Sequence, residues 1–288
     1  MHYSCSLCDS KGRFGSTFRK YGFFFRTSDS KPIQRYQCRV CKITCSPATF
    51  SPWFRQKKRY LNAKIAELLA FGMSVKNTAR HCKINRKTVA RKLEAFGFYA
   101  ESELDRQNRK KNKSRVIEFD DLETFENTKC KPISVTLAVE SRTRRILALE
   151  VSTMAAKGLL VEKAKKYGYR KDGRAAARGI VFKKLKELVH EDAVIKSDSN
   201  PHYPADVKKF FPKARHVTYL SRRSSLGGQG ELKKTKFDPI FSLNHTCAMT
   251  RYSMARLIRR TWCTTKSIRM LRAHLMLYAF HHNTQLEK

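Results

Sequence analysis

Three aspartates stand next to apolar runs in a chain that is otherwise strongly basic. Asp120 and Asp121 follow the apolar residues of "VIEF", and Asp198 closes "AVIKSD". The 288 residues include 61 Lys and Arg against 24 Asp and Glu, which gives a formal net charge of +37. Carboxylates that meet repel one another, and their meeting becomes favourable when divalent cations lie between them, as in two-metal phosphoryl-transfer sites. We therefore expect a site for Mg²⁺ or Mn²⁺ that acts on phosphate groups.

The elements that must position these aspartates have the pattern of strands in a mixed sheet. Three β-rich runs follow one another, "RVIEFDD", "PISVTLAVES" and "RRILALEVS", and a short basic turn between the last two predicts a hairpin. Helical patterns at about 174–191 and 245–261 lie on either side of the apolar run before Asp198. This order predicts a mixed α/β domain over 115–288, with Asp120 and Asp198 at the ends of two strands, where such sheets place ligands. A turn or capping role for Asp198 stays open.

The basic composition indicates a polyanionic partner, of which nucleic acid is the commonest. A membrane surface is the minor alternative. The sequence contains no apolar run of about 18 residues and no signal-peptide pattern, so we expect no membrane association. We expect a soluble cytoplasmic protein associated with the nucleoid.

Two cysteine pairs near the start of the chain have the spacing of zinc knuckles. Cys5 and Cys8 form "CSLC", and Cys38 and Cys41 form "CRVC". Two C-x-x-C pairs supply four thiolates for a tetrahedral structural Zn²⁺ site, which predicts a zinc ribbon over residues 1–55. Cys45 is an alternative ligand, and unliganded buried thiols are the alternative to zinc. The ribbon can be a folding element only, or it can also contact DNA through basic residues such as Arg13, Arg19, Lys20 and Arg26.

The next segment, residues 56–98, has the pattern of three helices. Within it, "MSVKNTARHCKINRKTVARKLEAFG" places a helix that starts at Ser74 before a turn and a second helix that starts at Asn85, the layout of a helix-turn-helix. Its second helix offers four basic residues to DNA: Arg86, Lys87, Arg91 and Lys92. A three-helix core with a solvated basic face is the alternative. Gly72 and Gly97 are placed to end helices. Residues 99–114 have little apolar periodicity and predict a basic linker, or else a solvated helix.

The layout as a whole resembles the bacterial insertion-sequence transposases of the insertion-element-one type. The resemblance extends from Cys5 to about Asn283 and rests on the two cysteine pairs, the helix-turn-helix, "FDD", "SDSNPHY" and the terminal "MARLIRRTW" with "TTKS" and "HLMLYAFHHN". It implies a ribonuclease H-like catalytic domain, a mixed α/β sheet flanked by helices, behind the zinc ribbon and the helix-turn-helix.

The resemblance also assigns the family's catalytic positions to this chain. The first falls on Asp120, the second on Asp198, and the third, a Glu in the familiar pattern, on Asn244. Asn brings a neutral carbonyl oxygen in place of a charge, so a D-D-N set would hold one metal ion more weakly. A helix N-cap is the alternative role for Asn244, and Glu231 is the runner-up acid. His202 and His245 flank the expected site and can contact phosphate or water, or else are surface histidines.

The terminal basic segment adds arginines suited to bidentate phosphate contacts. On a helix through "MTRYSMARLIRR" the apolar residues form a stripe along one side. The arginines, which include Arg251, Arg259 and Arg260, lie largely off that stripe. Ordinary amphipathicity is the alternative reading.

These features lead us to expect a DNA transposase that binds double-stranded DNA at inverted-repeat ends, cleaves it with Mg²⁺ or Mn²⁺, and joins it to a target. A homodimer or larger assembly is expected because two ends must be joined. The alternatives are an inactive relic or DNA-binding regulator, and a nuclease that cuts without joining.

Overall fold

The computed structural model describes residues 3–5, 7–8, 10–27, 30–54, 56–220, 238–258 and 262–287. The chain divides into two compact units, residues 1–62 and 63–288. Among the described residues, no helix has the length and apolar character needed to cross a membrane.

The first unit is a small β structure around cysteines and aromatic rings. Its strands are β1 (Tyr3–Ser4), β2 (Lys11–Gly12), β3 (Phe18–Phe25), β4 (Pro32–Cys38) and β5 (Thr44–Cys45). Strands β1 and β2 form an antiparallel pair, and β3, β4 and β5 form an antiparallel sheet in that order. Short 3-10 turns follow at Pro47–Phe50 and Arg59–Leu61. Among the described residues, the fully buried apolar side chains of this unit are Cys5, Phe18 and Cys38. A core this small needs a further source of stability.

The second unit contains a mixed sheet and the longer helices. Its helices are α1 (Asn62–Ala70, whose first residue lies at the unit boundary), α2 (Val75–His81), α3 (Arg86–Arg109), α4 (Leu160–Ala164), α5 (Arg174–Leu188), α6 (Tyr203–Phe210), α7 (Phe241–Ser253) and α8 (Ile268–Leu286), with a 3-10 turn at Lys165–Tyr167. Its strands are β6 (Ser114–Glu126), β7 (Thr128–Glu140), β8 (Ile146–Thr153), β9 (Val189–Asp198) and β10 (Arg215–Tyr219). This confirms the predicted mixed α/β architecture.

The sheet has the order β10-β9-β6-β7-β8. Strands β6, β7 and β8 are antiparallel neighbours, whereas β9 and β10 extend the sheet from β6 in parallel. Helices cover both faces, which explains why β7 is buried from Ile133 through Val139 and has a nearly continuous apolar sequence.

The two faces of the sheet bury separate cores. On one face Leu122 of β6 packs with residues of α3, α7 and α8. On the other face Ile117 and Phe119 of β6 and Ile195 of β9 pack against α5 and α6. Because side chains alternate along a strand, even-numbered residues of β6 face α7 and odd-numbered residues face α5. Asp120 therefore lies on the α7 face of the sheet.

Three boundaries differ from the sequence-based expectations. Strand β6 does not end at Asp120 and Asp121 but continues to Glu126, since its later residues still pair with β7. Of the two possibilities for residues 99–114, the helical one is found through Arg109, because Leu104 of α3 is buried against the sheet core. The expected helix at 245–261 instead starts at Phe241 and ends at Ser253, and the next residue, Met254, enters the core.

Gly97 does not end a helix, contrary to the prediction, but lies inside α3. A Cβ added there would lie 2.5 Å from the Cα of Ala273 on α8, so the missing side chain lets the two helices pack at close range. Gly72 does follow a helix end, with φ +84° in the left-handed region.

Gly97→Ala should lower the free energy of unfolding by about 1–3 kcal/mol, because the added methyl group overpacks the contact between α3 and α8. Gly179→Ala is the matched control in α5, where a Cβ would meet Phe210 at an ordinary 3.7 Å. That variant should raise the free energy of unfolding by up to about 1 kcal/mol, because alanine favours the helix. Urea unfolding measures both changes, and equal effects of the two substitutions would contradict the packing explanation.

Candidate functional site

Asp120 and Asp198 lie on neighbouring parallel strands at the same level of the sheet. Strand β6 pairs with β9 in a register that sets Ile117 opposite Ile195 and Glu118 opposite Lys196. The same register, carried two residues further, places Asp120 beside Asp198, the last residue of β9. Both side chains belong to the face of the sheet that α7 covers.

The carboxyl group of Asp120 is held by two donors. Its Oδ1 accepts hydrogen bonds from the backbone N–H of Asp121, at 2.7 Å, and from the Tyr203 hydroxyl, at 2.9 Å. Burial, and secondly the negative charge of Asp198, raise the pKa of Asp120 to about 6. Because both of these donors reach Oδ1, Oδ2 is the oxygen left to face a cation.

Asp198 is fixed by the turn that follows β9. Its Oδ1 accepts a hydrogen bond from the backbone N–H of Asn200 at 3.1 Å, which is the turn role that the sequence left open. Burial, and secondly the negative charge of Asp121, raise the pKa of the Asp198 carboxyl. The turn and a metal-binding role are compatible, since the turn uses one oxygen.

Asp121 has a different environment from its neighbour Asp120. It points to the other face of the sheet, where it accepts hydrogen bonds from the Thr136 hydroxyl, at 2.5 Å, and from Nη1 of Arg178, at 3.1 Å. Arg178 also donates to Asp206 on α6 at 2.5 Å, and its guanidinium lies 5.5 Å from the Tyr203 ring centre. Asp121 is thus buried and paired with a cation, whereas the charges of two carboxylates, Asp198 and Asp121, raise the pKa of Asp120.

Asn244 lies inside the first turn of α7 and does not cap the helix. The helix begins at Phe241, and the backbone N–H of Asn244 donates to the Ile240 carbonyl at 3.1 Å, so the N-cap alternative is wrong. The side chain is exposed, and its Nδ2 donates to Asp238 at 2.9 Å. This contact orients the amide and leaves its carbonyl oxygen available as a ligand.

Glu118, which the sequence analysis missed, attaches α7 to the strand that carries Asp120. It is 2% exposed and accepts hydrogen bonds from the backbone N–H of Leu243, at 2.9 Å, and from the Ser141 hydroxyl, at 2.7 Å. A carboxylate at a helix N-terminus is favourable because the free N–H groups there carry partial positive charge. The available signal was a Glu two residues before Asp120 in an otherwise apolar strand.

Cys247 of α7 is partly buried and lies close enough to Asp120 for that charge to act on its thiol. Burial, and secondly the charge of Asp120, raise the pKa of its thiol to about 12. Asn244 lies three residues before Cys247, one helical turn away, and its side chain is exposed.

The two expected histidines occupy different surroundings. His202 is exposed and directly precedes α6. His245 lies 3.4 Å from a guanidinium nitrogen of Arg144, and burial together with that positive charge lowers its pKa. The runner-up acid Glu231 lies outside the described residues.

The four cysteines of the two knuckles come together in the first unit. The sulfur atoms of Cys5, Cys8, Cys38 and Cys41 all lie within 4.8 Å of one another. Cys5 and Cys41 are 3.5 Å apart and Cys8 and Cys38 are 3.8 Å apart. Tetrahedral Zn²⁺ with Zn–S bonds of about 2.3 Å requires sulfur separations of about 3.8 Å. These residues can therefore hold a zinc ion, and among the described residues Cys45 lies outside the group.

The predicted helix-turn-helix segment contains helices α2 and α3 with the expected caps. The Ser74 hydroxyl accepts from the backbone N–H of Asn77 at 3.2 Å, and the Asn85 side chain accepts from that of Lys87 at 2.8 Å. Arg86, Lys87 and Arg91 are exposed on the first turns of α3, but Lys92 is only 3% exposed. We therefore leave Lys92 out of any DNA-contacting surface.

The terminal arginines are described only in part. Arg251 is half-buried in the last turn of α7, whereas Arg259 and Arg260 lie outside the described residues.

Comparisons with known proteins find a likeness in structure. No protein-family model matches the chain. No curated protein matches it either. The chain is similar to a solved structure, the catalytic domain of Mos1 mariner transposase, with 13% sequence identity and a TM-score of 0.26 over 69% of this chain and 95% of that one. Similarity at this level does not assign the chain to a family.

Proposed function

We propose that this protein is a DNA transposase that binds the inverted-repeat ends of an insertion element and performs metal-dependent strand cleavage and strand transfer. The observation that carries the proposal is the pair Asp120 and Asp198 on one face of the sheet in a chain of net charge +37. Two partly buried carboxylates with raised pKa values destabilise the fold unless a cation lies between them. The basic chain attracts the polyanion, and the acidic pair supplies the reactive site.

The proposed catalytic domain is ribonuclease H-like. Three antiparallel strands, extended on one side by two parallel strands and covered by helices on both faces, are the arrangement we expect of such a domain. In this sheet Asp120 occupies the central strand and Asp198 its parallel neighbour.

Asp120, Asp198 and Asn244 are the residues that would hold Mg²⁺ or Mn²⁺. Carboxylate and amide oxygens are suitable ligands for these ions. When bound, the metal ions activate the attacking oxygen and stabilise the leaving oxygen of phosphoryl transfer. Tyr203 fixes the Asp120 carboxyl, and Glu118 fixes the helix that presents Asn244.

The proposed DNA-binding surface includes Arg86, Lys87 and Arg91 of α3, with double-stranded DNA at the element ends as the ligand. Arg251, Arg259 and Arg260 remain proposed phosphate contacts. Transfer of two ends to one target requires a homodimer or larger assembly, which we include in the proposal.

Product analysis on labelled DNA that carries the element ends, with Mg²⁺ or Mn²⁺, tests the function. A transposase gives joined products, and a nuclease on the same fold gives cleavage without joining. An inactive relic or regulator binds the ends and leaves them intact. Binding alone does not separate these classes, because any chain this basic binds DNA.

Asn244→Ala should reduce strand cleavage about 10- to 100-fold, because it removes a neutral metal ligand and leaves both aspartates in place. Gln285→Ala, at an exposed position in the last turn of α8, is the control and should retain most activity. Raising the Mn²⁺ concentration should partly restore the Asn244→Ala variant. Full activity of Asn244→Ala at limiting metal would exclude a D-D-N site.

Tyr203→Phe should also reduce cleavage about 10- to 100-fold, because the Asp120 carboxyl loses its hydroxyl donor while the buried ring stays in place. Tyr169→Phe removes a hydroxyl from a side chain that is 94% exposed and should leave activity unchanged. The metal concentration for half-maximal cleavage should rise only in Tyr203→Phe. If the two substitutions behave alike, Tyr203 does not position Asp120.

A further inference from the structure

The hairpin of β3 and β4 exposes an unusual set of aromatic side chains. Phe23 is 62% exposed and Phe25 is 74% exposed, with Phe24 between them at 40%. Their strand belongs to the first unit, whose aromatic core packs around Phe18 at the other end of β3. Three adjacent exposed phenylalanines are costly in water and indicate a surface that binds a partner.

A bulge in β3 sets the faces of these rings. Lys20 pairs with Tyr36 but Phe23 pairs with Gln34, so β3 has one extra residue at Tyr21 and Gly22. Gly22 has φ +64°, a left-handed conformation that glycine adopts readily. Beyond the bulge, alternation places Phe23 and Phe25 on one face of the hairpin and Phe24 on the other. We call Phe23 and Phe25 the phenylalanine ridge.

The charge of the hairpin selects the partner. Residues 18–38 contain five cations and a single carboxylate, Asp29, by sequence. The cations are Arg19, Lys20, Arg26, Lys31 and Arg35. A second copy of the chain would bring the same positive charge to the contact, whereas a nucleic acid brings phosphates together with flat apolar bases.

The spacing of the ridge fits a base. Residues two apart on a strand are separated by about 6.7 Å. Stacked bases of one strand are separated by about 3.4 Å, so one base inserted between the two rings would contact a ring on each face. Bases paired in a duplex are not open to such contact without unstacking.

We propose that the phenylalanine ridge binds unpaired bases of single-stranded or locally opened DNA, with the surrounding cations on the phosphates. This inference rests on the proposed function, because cutting and joining strands exposes unpaired ends. Binding of unpaired bases would give the first unit a preference for single-stranded DNA, in addition to any role of this unit in folding.

The test compares the full-length protein with a Phe23→Leu, Phe25→Leu variant, which keeps apolar side chains and removes the flat rings. Fluorescence anisotropy measures binding to a labelled single-stranded oligothymidine and to a duplex of the same length at the same salt concentration. We expect about tenfold weaker binding of the single strand and less than a twofold change for the duplex. Phe24→Leu, on the opposite face of the same strand, is the matched control and should change neither affinity. Zinc content shows that the first unit is intact in each variant.

Several results would overturn the inference. Unchanged single-strand binding, or equal losses for both DNA forms, would exclude base stacking. A lower mass of the double variant by light scattering would assign the ridge to a second copy of the chain, and a selective loss of binding to phosphatidylserine vesicles would assign it to a membrane surface. Metal-dependent cleavage of duplex ends by the wild type is scored separately, so failure of the ridge and failure of the transposase proposal are distinguishable.

Discussion

Asp120→Asn should reduce metal-dependent strand cleavage by about a thousandfold or more, while the affinity for DNA stays within about twofold of the wild type. The substitution keeps the shape of the side chain and its acceptor for the Tyr203 hydroxyl, but it removes the charge that would hold a metal ion. A group that stabilises developing charge in a water-poor site contributes about 10²–10³ or more to the rate. Single-turnover cleavage and duplex binding, measured on the same labelled DNA, separate the two effects.

The same substitution should stabilise the protein when no Mg²⁺ or Mn²⁺ is added. A carboxyl whose pKa rises on folding from 3.8 to about 6 destabilises the folded state at pH above about 6, and this effect disappears below pH 3.8. Asp120→Asn should therefore raise the free energy of unfolding at pH 7.5 by about 1–3 kcal/mol. Added Mn²⁺ should stabilise the wild type more than the variant, because binding to the folded state adds stability by mass action.

Asp192→Asn is the matched control for these measurements. Asp192 lies on β9, the strand that carries Asp198, but its side chain is exposed. It should change neither cleavage nor the free energy of unfolding by a measurable amount. A large loss of cleavage in Asp192→Asn, or none in Asp120→Asn, would contradict the assignment of Asp120.

Removal of zinc should unfold the first unit. Its buried apolar core is small, and structural zinc in such modules contributes about 10–16 kcal/mol of apparent binding free energy. Cys38→Ser should therefore abolish zinc binding and open the first unit to proteolysis, while the described sheet and helices of the second unit stay resistant. Metal analysis of the wild type should give one zinc ion per chain.

Cys45→Ser is the control that tests the alternative ligand. Cys45 lies on β5 outside the group of four thiols, so its substitution should leave zinc content and protease resistance unchanged. Loss of zinc in Cys45→Ser with retention in Cys41→Ser would replace Cys41 by Cys45 in the ligand set.

The sequence predicted the elements best where a local pattern decides the structure. Alternating and continuous apolar runs located β6, β7, β8 and the strand before Asp198, because a strand buried on both faces needs apolar residues at nearly every position. Ser74 and Asn85 marked the starts of α2 and α3, since their side chains accept backbone hydrogen bonds at helix ends.

Long-range packing decided what the sequence did not reveal. A glycine at position 97 predicts a helix end, but its role is steric. It leaves room for Ala273 of α8, a helix far along the chain, to pack against α3. Lys92 has the sequence pattern of a surface cation, yet it is buried. The apolar run before Asp120 predicts that the strand ends there, but pairing with β7 carries the strand on to Glu126.

The sequence predicts the two aspartates of the candidate site but not the residues that hold them in position. Apolar runs point to Asp120 and Asp198, and the register of two parallel strands brings them together. The roles of Tyr203 and Glu118 depend on contacts across 83 and 125 residues of sequence, which no local pattern encodes. Long-range contacts also distinguish Asp120 from its neighbour Asp121, because Asp121 forms an ion pair with Arg178.

Strand transfer by the wild type and by Asp198→Asn, assayed side by side on labelled DNA carrying the element ends, tests most directly whether the carboxylate pair performs phosphoryl transfer. We expect joined products from the wild type that require Mg²⁺ or Mn²⁺, and none from Asp198→Asn despite equal DNA binding. Joined products that persist in Asp198→Asn, or a wild type that binds the ends and cuts with neither metal, would contradict the proposed function.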